Sequence, residues 1–225
     1  MFELTPPSAP GGVWTEAVIY SFSGVDGATP LAPVIFDQSG NLYGTTSDGG
    51  SYTGGTVFRL MPPSQVGGVW TQTVLHSFEG KRGFGPEAGL EFGQDGSLFG
   101  TTFYGGANGE GTAFQLSPGP GGTWTFAILH DFPVSPQDGF FPAASLTVGG
   151  QNILYGTTSG GGGGGGGGGT IFSLTISGGH VTESILWTFK GIAKPLAGVT
   201  IYKGVLYGTT SVDGNGNGTV YRLTP

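Results

Sequence analysis

The chain has 225 residues, of which 49 are glycine and none is cysteine, and its formal net charge at pH 7 is −7. Only seven residues are Lys or Arg, which argues against nucleic-acid binding because phosphate contacts depend on these side chains, and the negative charge argues against attraction to anionic membranes. The lack of cysteine excludes disulfides and thiolate metal sites.

Four strand-like runs recur along the chain, separated by glycine-rich turns. A Trp-Thr run occupies residues 14–22, 70–78, 124–132 and, in degenerate form, 181–189. An Ala-x-Val/Leu run occupies 32–36, 88–92, 144–148 and 197–201. A Leu-aromatic-Gly-Thr-Thr run occupies 42–46, 98–102, 154–158 and 206–210, and a Thr-x-aromatic-x-Leu run occupies 56–60, 112–116, 170–174 and 219–223. Apolar residues follow strand spacing in these runs, and without a 3.6-residue stripe we expect essentially no helix.

Four short strands in a repeat of this length are typical of a β-propeller blade. We predict an all-β fold with a single domain over residues 1–225, a β-propeller of four four-stranded blades, with repeats near 14–69, 70–123, 124–180 and 181–225. In each blade the Ala run would be innermost strand A, followed by the Gly-Thr-Thr run (B), the Thr-x-aromatic run (C) and the Trp-Thr run (D).

The two ends of the chain bear on how the ring closes. The first D run precedes the first A run, so we predict that this N-terminal outer strand joins the last blade and closes the ring. Residues 2–7 resemble residues 58–63, which continue from the C run at 56–60, and are then a redundant copy, available to pair with another molecule. Half of a two-chain, eight-bladed ring and an open repeat array are the alternatives.

The recurring patterns Trp-Thr, Pro-x-Ala-Gly-Leu, Gly-Asn-Leu-Tyr-Gly-Thr-Thr and Gly-Thr-Val-Phe-x-Leu together resemble the GloVer tandem repeat of bacterial surface or secreted proteins with varied C-terminal anchors. The resemblance runs from about Phe2 to Pro225. It implies an extracellular or cell-surface protein without established enzymatic activity. The chain departs from the family in two respects: we find no signal-peptide or anchor pattern, and Val181 replaces the leading Trp of the fourth repeat.

The residues that differ between repeats are the candidates for function, because aromatics that recur in every repeat are explained by packing between blades. The B–C and D–A loops are long, and a propeller places them on one face. The candidate ligand- or partner-binding residues in these loops are Tyr52, Arg82, Phe84, Phe103, Tyr104, Phe140 and Phe141. Aromatics in such loops can stack on sugar rings or anchor a partner, or they can fold back over the blades as hydrophobic plugs.

Two glycine-rich segments suggest a specific site or conformation. Asp213, Asn215 and Asn217 resemble the first half of a calcium loop. Thr224 stands where the loop's acidic ligand is expected, so a hairpin turn competes with the calcium site. The run at 160–169 consists of glycine alone, which predicts a flexible loop, with a glycine strand that becomes ordered in an assembly as the alternative.

These observations favour a non-enzymatic extracellular β-propeller with a structural or interaction role and without a cofactor other than calcium. The alternatives are a carbohydrate-binding or glycan-processing protein that uses the long-loop face, and a surface or filament subunit that forms homo-oligomers by donating the strand Phe2–Thr5. A hydrolase needs two converging carboxylates, for which the long loops offer Asp26, Glu87, Asp138 and Asp213. Since His76 and His130 occupy a position held by Tyr20 and Trp187 in the other repeats, we expect structural roles for both. Glu91 lies on an innermost strand and is therefore a lone acid near the central channel that a propeller would have.

Overall fold

A computed structural model describes residues 1–65, 67–135, 137–150, 152–163, 167–212 and 216–225. Its strands form antiparallel sheets, which confirms the all-β fold class. The N-terminal pair comprises β1 (Phe2–Thr5) and β2 (Thr15–Val18). Sheet I comprises β3 (Ile35–Phe36), β4 (Leu42–Thr46), β5 (Thr56–Met61) and β6 (Thr71–Ser77). Sheet II comprises β7 (Glu91–Phe92), β8 (Leu98–Thr102), β9 (Thr112–Pro118) and β10 (Trp124–Asp131).

The remaining strands belong to the second half of the chain. Sheet III comprises β12 (Thr147–Val148), β13 (Ile153–Thr158), β15 (Thr170–Ser177) and β16 (His180–Thr188). A two-stranded ribbon pairs β11 (Gly139–Phe140) with β14 (Gly160–Gly161). Sheet IV comprises β17 (Thr200–Tyr202), β18 (Val205–Thr210) and β19 (Thr219–Leu223). Short 3-10 turns lie at Gly80–Arg82 and Pro120–Gly122, and in the described part of the chain no helix is long and apolar enough to cross a membrane.

Sheets I to III share the strand order A, B, C, D that the repeat predicts. The A strands are shorter than the five-residue runs, with only two residues in each of these sheets. The carbonyl groups at the start of these runs have other partners: Ala88 O accepts from Thr45 Oγ1 at 2.8 Å, and Ala144 O accepts from Thr101 Oγ1 at 3.1 Å. The beginning of each run therefore bonds to the preceding sheet instead of extending its own ladder.

The predicted closure by the N-terminal outer strand is wrong. β2 pairs with β1 in a register from Phe2↔Val18 to Thr5↔Thr15, and among the described residues β19 pairs with β18 alone. The register repeats the C–D pairing of sheet I, where Phe58 faces Val74. Because only a short connection joins β1 to β2, this local pairing loses little chain entropy when the loop closes. The redundant C run is thus the partner of the first D run.

Consecutive sheets pack face to face along the chain. We call the face of a sheet that contacts the following sheet its forward face, and the opposite one its rear face. Residues such as Tyr43 and Val57 on the forward face of sheet I share a core cluster with Phe114 and Leu116 of sheet II. Equivalent clusters join sheet II to sheet III and sheet III to sheet IV, and Met1 and Ile19, which flank the strands of the N-terminal pair, pack against sheet I. No cluster of the described residues joins sheet IV to the N-terminal pair.

The Leu-aromatic-Gly-Thr-Thr run is explained by this packing. In sheet II the aromatic Phe99 joins the cluster with sheet III, and a Cβ on Gly100 would overlap the Phe114 ring. Thr101 bonds to the next sheet, while the Thr102 hydroxyl donates to Tyr104 O at 2.9 Å and accepts from Thr112 N at 3.2 Å. Each position of the motif therefore has a structural partner, in agreement with its recurrence.

A bulge recurs in the D strands at a leucine. The register shifts between Ile128 and His130 in sheet II, which leaves Leu129 unpaired. Leu75 and Leu186 occupy the same position in sheets I and III. Each of these leucines packs against the cluster shared with the next sheet, so the bulge directs an extra apolar side chain into the contact between repeats.

Candidate functional site

The D–A loop before each sheet lies against the B–C loop of that sheet or its neighbour. Phe84 N donates to Tyr104 O at 2.8 Å and Tyr104 N donates to Phe84 O at 3.0 Å, and Ala28 makes the same pair of bonds with Asp48. In the third repeat the ribbon of β11 and β14 takes this place. These bonds hold the variable loops together at one side of the sheets.

Four of the predicted aromatics meet in these loops. Phe103 and Phe141 are stacked with ring centroids 5.1 Å apart and planes 8° apart. Tyr104 lies edge-on to both rings, at 4.7 Å from Phe103 and 5.5 Å from Phe141, and Phe140 lies edge-on to Phe141 at 5.1 Å. All four line a cavity of about 680 Å³, which we call the aromatic cavity. Its aromatics come from two loops that are far apart in sequence.

The backbone at Phe141 is strained. Its φ is 58°, in the left-handed region that bulky residues rarely adopt. The equivalent residue in the preceding repeat is Gly85, with φ 64°: Gly85 O accepts from Phe103 N and Phe141 O accepts from Ser159 N, both at 3.0 Å. Phe141 thus has the backbone conformation that Gly85 has at the equivalent position of the preceding repeat. Thr29 has the same conformation in the first repeat, with φ 57°, and Thr29 O accepts from Ser47 N at 3.1 Å. The repeat therefore imposes this backbone, and the strain at Phe141 persists because its surroundings fix it.

The floor of the aromatic cavity is formed by glycine. Gly160 and Gly161 form strand β14 instead of the predicted flexible loop; residues 164–166 of the glycine run lie outside the described residues. A Cβ on Gly160 would overlap the Phe140 ring, and one on Gly161 would overlap Asp138 O. The glycines therefore allow the ribbon to approach the aromatic ring.

Polar groups at the cavity wall are few. Glu110, Ser135, Ser159 and Lys194 line it together with Val134. Such a lining, with broad apolar surface and a small number of polar side chains, is typical of sites that bind small ligands. Sequence reasoning missed Glu110 and Lys194. Aligning the repeats could have found Lys194, because it is the equivalent of Phe141. Lys194 O accepts a hydrogen bond from Ser211 N, and Phe141 O accepts one from Ser159 N.

The other three predicted binding residues do not line this cavity. Phe84 pairs with Tyr104 through the two backbone bonds described above and is not among the residues that line the cavity. Tyr52 and Arg82 line a second cleft of about 480 Å³, together with His76 and Glu79. The Arg82 guanidinium lies 5.3 Å from the centroid of the Phe126 ring, so this residue stabilises the contact between sheets I and II.

Among the other candidate groups, Asp26 and Glu91 do not line the aromatic cavity. Asp213 and Asn215 of the calcium hypothesis lie outside the described residues. Asp26 accepts hydrogen bonds from the Tyr20 hydroxyl and from Ser23 N; burial alone would raise the pKa of Asp26, but these bonds outweigh it and lower that pKa. Glu91 is half-buried, and burial raises its pKa. In the part of the chain that the structure describes, no three acidic or His side chains are grouped as metal ligands.

Both histidines sit in aromatic packing. His76 stacks on Phe126 with centroids 3.9 Å apart and stands edge-on to Phe78 at 4.8 Å. His130 stands edge-on to Phe132 at 4.8 Å, and its Nε2 lies 3.2 Å from Glu183 Oε2. These contacts join neighbouring sheets and fit the structural roles expected from the repeat.

The environment of His76 predicts a pH-dependent stability. Burial, and secondarily the charge of Arg82, lowers its pKa from 6.5 to about 4. Between these two values the unfolded chain binds more protons than the folded one, so stability falls as the pH falls. Replacing His76 with Tyr, the residue found at the equivalent position 20, should remove this component. Thermal unfolding of both proteins should show a melting-temperature difference that grows from neutral pH to about pH 4; parallel curves would contradict the expectation.

Comparison with known proteins bears on the repeat as a whole. The family model described as the Gloeobacter/Verrucomicrobia repeat matches residues 65–225. The match starts just before the second Trp-Thr run and includes sheets II, III and IV. A search of curated proteins gives no match. Since the family model covers more than half of the chain, the chain belongs to the Gloeobacter/Verrucomicrobia repeat family.

Proposed function

We propose that the chain is a non-enzymatic, extracellular or cell-surface binding module whose ligand site is the aromatic cavity, and that the ligand is a carbohydrate. The observation that carries the proposal is the convergence of Phe103, Tyr104, Phe140 and Phe141, from two separate loops, around one cavity. The aromatics that recur in every repeat pack between sheets, whereas these four belong to the loops that vary.

The chemistry of the cavity suits a sugar. The apolar face of a pyranose ring stacks on aromatic side chains, and its hydroxyl groups need a few hydrogen-bonding partners. Tyr104, with 46% of its surface exposed, offers such a face and a hydroxyl. Glu110 and Lys194 supply an acceptor and a donor at the same wall. A free cavity beside the stack also favours binding over the plug interpretation, in which the aromatics only cover the sheets.

Binding is a better proposal than glycan hydrolysis. A glycosidase requires two carboxylates separated by about 5–10 Å. The described residues of the cavity wall supply one, Glu110. Asp26 precedes sheet I and is held by Tyr20 and Ser23. Glu87 and Asp138 are not among the residues that line the wall, although Asp138 directly precedes β11.

Replacing Phe141 with Gly should separate binding from stability. We expect at least a tenfold loss of affinity, since removing a central aromatic contact typically costs more than 1 kcal/mol. Stability should change by no more than about 1 kcal/mol, because the lost ring contacts are offset by relief of the left-handed strain. An array of microbial and plant oligosaccharides, followed by titration calorimetry with the best-bound sugar, measures the affinity, and thermal unfolding measures the stability.

Tyr52→Ala is the matched control, because Tyr52 is an exposed aromatic outside the cavity; it should bind as the wild type does. If no oligosaccharide on the array binds, the carbohydrate proposal fails. If Phe141→Gly binds normally but loses several kcal/mol of stability, the aromatics are structural plugs and the site is elsewhere.

We also infer that sheets I to IV are successive blades of a propeller-like array that is open in a single copy. The shared strand order and the face-to-face packing of consecutive sheets support this inference. Small-angle scattering tests it, since a compact chain of this length should have a radius of gyration of about 17 Å, and a value at or below this would favour a closed ring.

A further inference from the structure

One contact recurs at every step along the series of sheets. The second residue of the C strand on one sheet shares a core cluster with the aromatic and the leucine of the next C strand. Val57 meets Phe114 and Leu116 in this way. The same contact joins Ala113 with Phe172 and Leu174, and Ile171 with Tyr221 and Leu223. At the N-terminus Met1, which directly precedes β1, packs in the same way with Phe58 and Leu60. Four successive contacts therefore use the same pair of surfaces.

Sheet IV carries the forward half of this contact without a partner. Val57, Ala113 and Ile171 have at most 1% of their surface exposed, whereas the equivalent Val220 has 82% exposed. Thr209 is exposed as well, although the equivalent Thr157 donates to Ala197 O at 3.1 Å. In the described residues nothing covers this face.

The N-terminal pair carries the rear half without a partner. Phe2 and Leu4 correspond in register to Phe58 and Leu60, yet they are 61% and 51% exposed. Trp14 starts the first Trp-Thr run and is 59% exposed, whereas the equivalent Trp124 packs on Tyr43 with centroids 6.1 Å apart. Both ends of the series thus expose surfaces that are buried at every internal step.

We propose that copies of this chain associate head to tail, the forward face of sheet IV in one copy packing on the rear face of the N-terminal pair in the next. Val220 then contacts Phe2 and Leu4 of the second copy, continuing the series of contacts within the chain. Tyr207 faces Trp14 of the second copy, as Tyr43 faces Trp124 within the chain.

The two surfaces carry side chains of opposite charge. Arg222 pairs with Tyr207 and so lies on the forward face, while Glu16 pairs with Leu4 and so lies on the rear face. Because the two surfaces differ, the contact is heterologous and produces rings or filaments instead of a symmetric dimer. The β1–β2 pairing stays intact, which distinguishes this association from donation of strand Phe2–Thr5.

Sedimentation velocity of the full 225-residue chain tests the proposal. The wild type should form species larger than a monomer whose share increases with concentration. Val220→Glu and Leu4→Glu each place a charge on one face and should each be monomeric. Mixed in equal amounts, they should form a dimer that grows no further, because each supplies the intact face that the other lacks. Val69→Glu, at a position 86% exposed between β5 and β6, should assemble as the wild type does.

A wild-type chain that stays monomeric at about 100 µM, far above typical dissociation constants of specific interfaces, would overturn the proposal. So would a mixture of the two variants that remains monomeric, since this result would indicate a symmetric contact or none. Circular dichroism of each variant shows whether it is folded, and a Leu4→Glu chain that loses strand signal is replaced by Phe2→Glu in the same mixture.

Discussion

Replacing Phe114 with Ala is expected to lower the free energy of unfolding by about 3–5 kcal/mol, the usual cost of removing a buried phenyl ring and leaving a cavity. Phe114 is fully buried. Its ring lies edge-on to Phe78 at 5.1 Å and tilted to Phe126 at 5.7 Å, and it covers Gly100. Backbone strands surround it, so the site can collapse only partly.

The loss also concerns the contact between two repeats. Phe114 belongs to the cluster that joins sheets I and II, and the stability of a repeat array depends on such nearest-neighbour contacts. We therefore expect the variant to unfold less cooperatively, with its first transition about 2–4 °C lower for each kcal/mol lost. Chemical and thermal unfolding measure both effects. Val69→Ala on the surface is the control, and a loss below about 1 kcal/mol for Phe114→Ala would contradict the assigned packing.

The B, C and D strands could be predicted from the sequence because their pattern is local and repeated. Alternation of apolar residues fixes the buried face of a strand, and four copies of the pattern show which positions are shared. The register Gly100↔Phe114 follows from the same logic, since a glycine opposite an aromatic recurs in every repeat. The A strands were predicted in the right place, but their shortness was not predictable, because carbonyl groups at the start of these runs bond to another sheet.

The sequence does not decide which strand pairs with β2, because β1 and β19 are both possible partners. β2 fits equally well against β19 or against β1, as Phe2-x-Leu4-Thr5 and Tyr221-x-Leu223-Thr224 are alike. The local partner is entropically favoured, and the structure has it.

For the candidate site, the sequence identified the aromatics but not their grouping. Phe103 and Phe141 were found because they differ between repeats, yet their stacking depends on how two loops meet in space. Tyr52 met the same criterion and lies in another cleft. Glu110 and Lys194 carry no local signal, because a single charged residue in a glycine-rich loop is ordinarily solvated.

Replacing Gly100 with Ala is expected to cost about 1–3 kcal/mol of stability through overpacking. The added Cβ would overlap Phe114 Cζ and lie 3.1 Å from Leu90 Cδ2. The control is Gly80→Ala, because a Cβ there meets nothing within 4 Å; this change should be neutral or stabilising by a few tenths of a kcal/mol.

A second substitution tests whether the cost comes from this one contact. Phe114→Leu removes the ring atoms that the new Cβ would meet, so the double variant Gly100→Ala/Phe114→Leu should be more stable than the sum of the two single losses by at least about 0.5 kcal/mol. Strictly additive losses, measured by chemical unfolding of all four proteins, would mean that the glycine is required for its backbone and not for the aromatic above it. Because the same fit occurs at Gly44 with Phe58 and at Gly156 with Phe172, a positive coupling would explain the glycine of the recurring motif in every repeat.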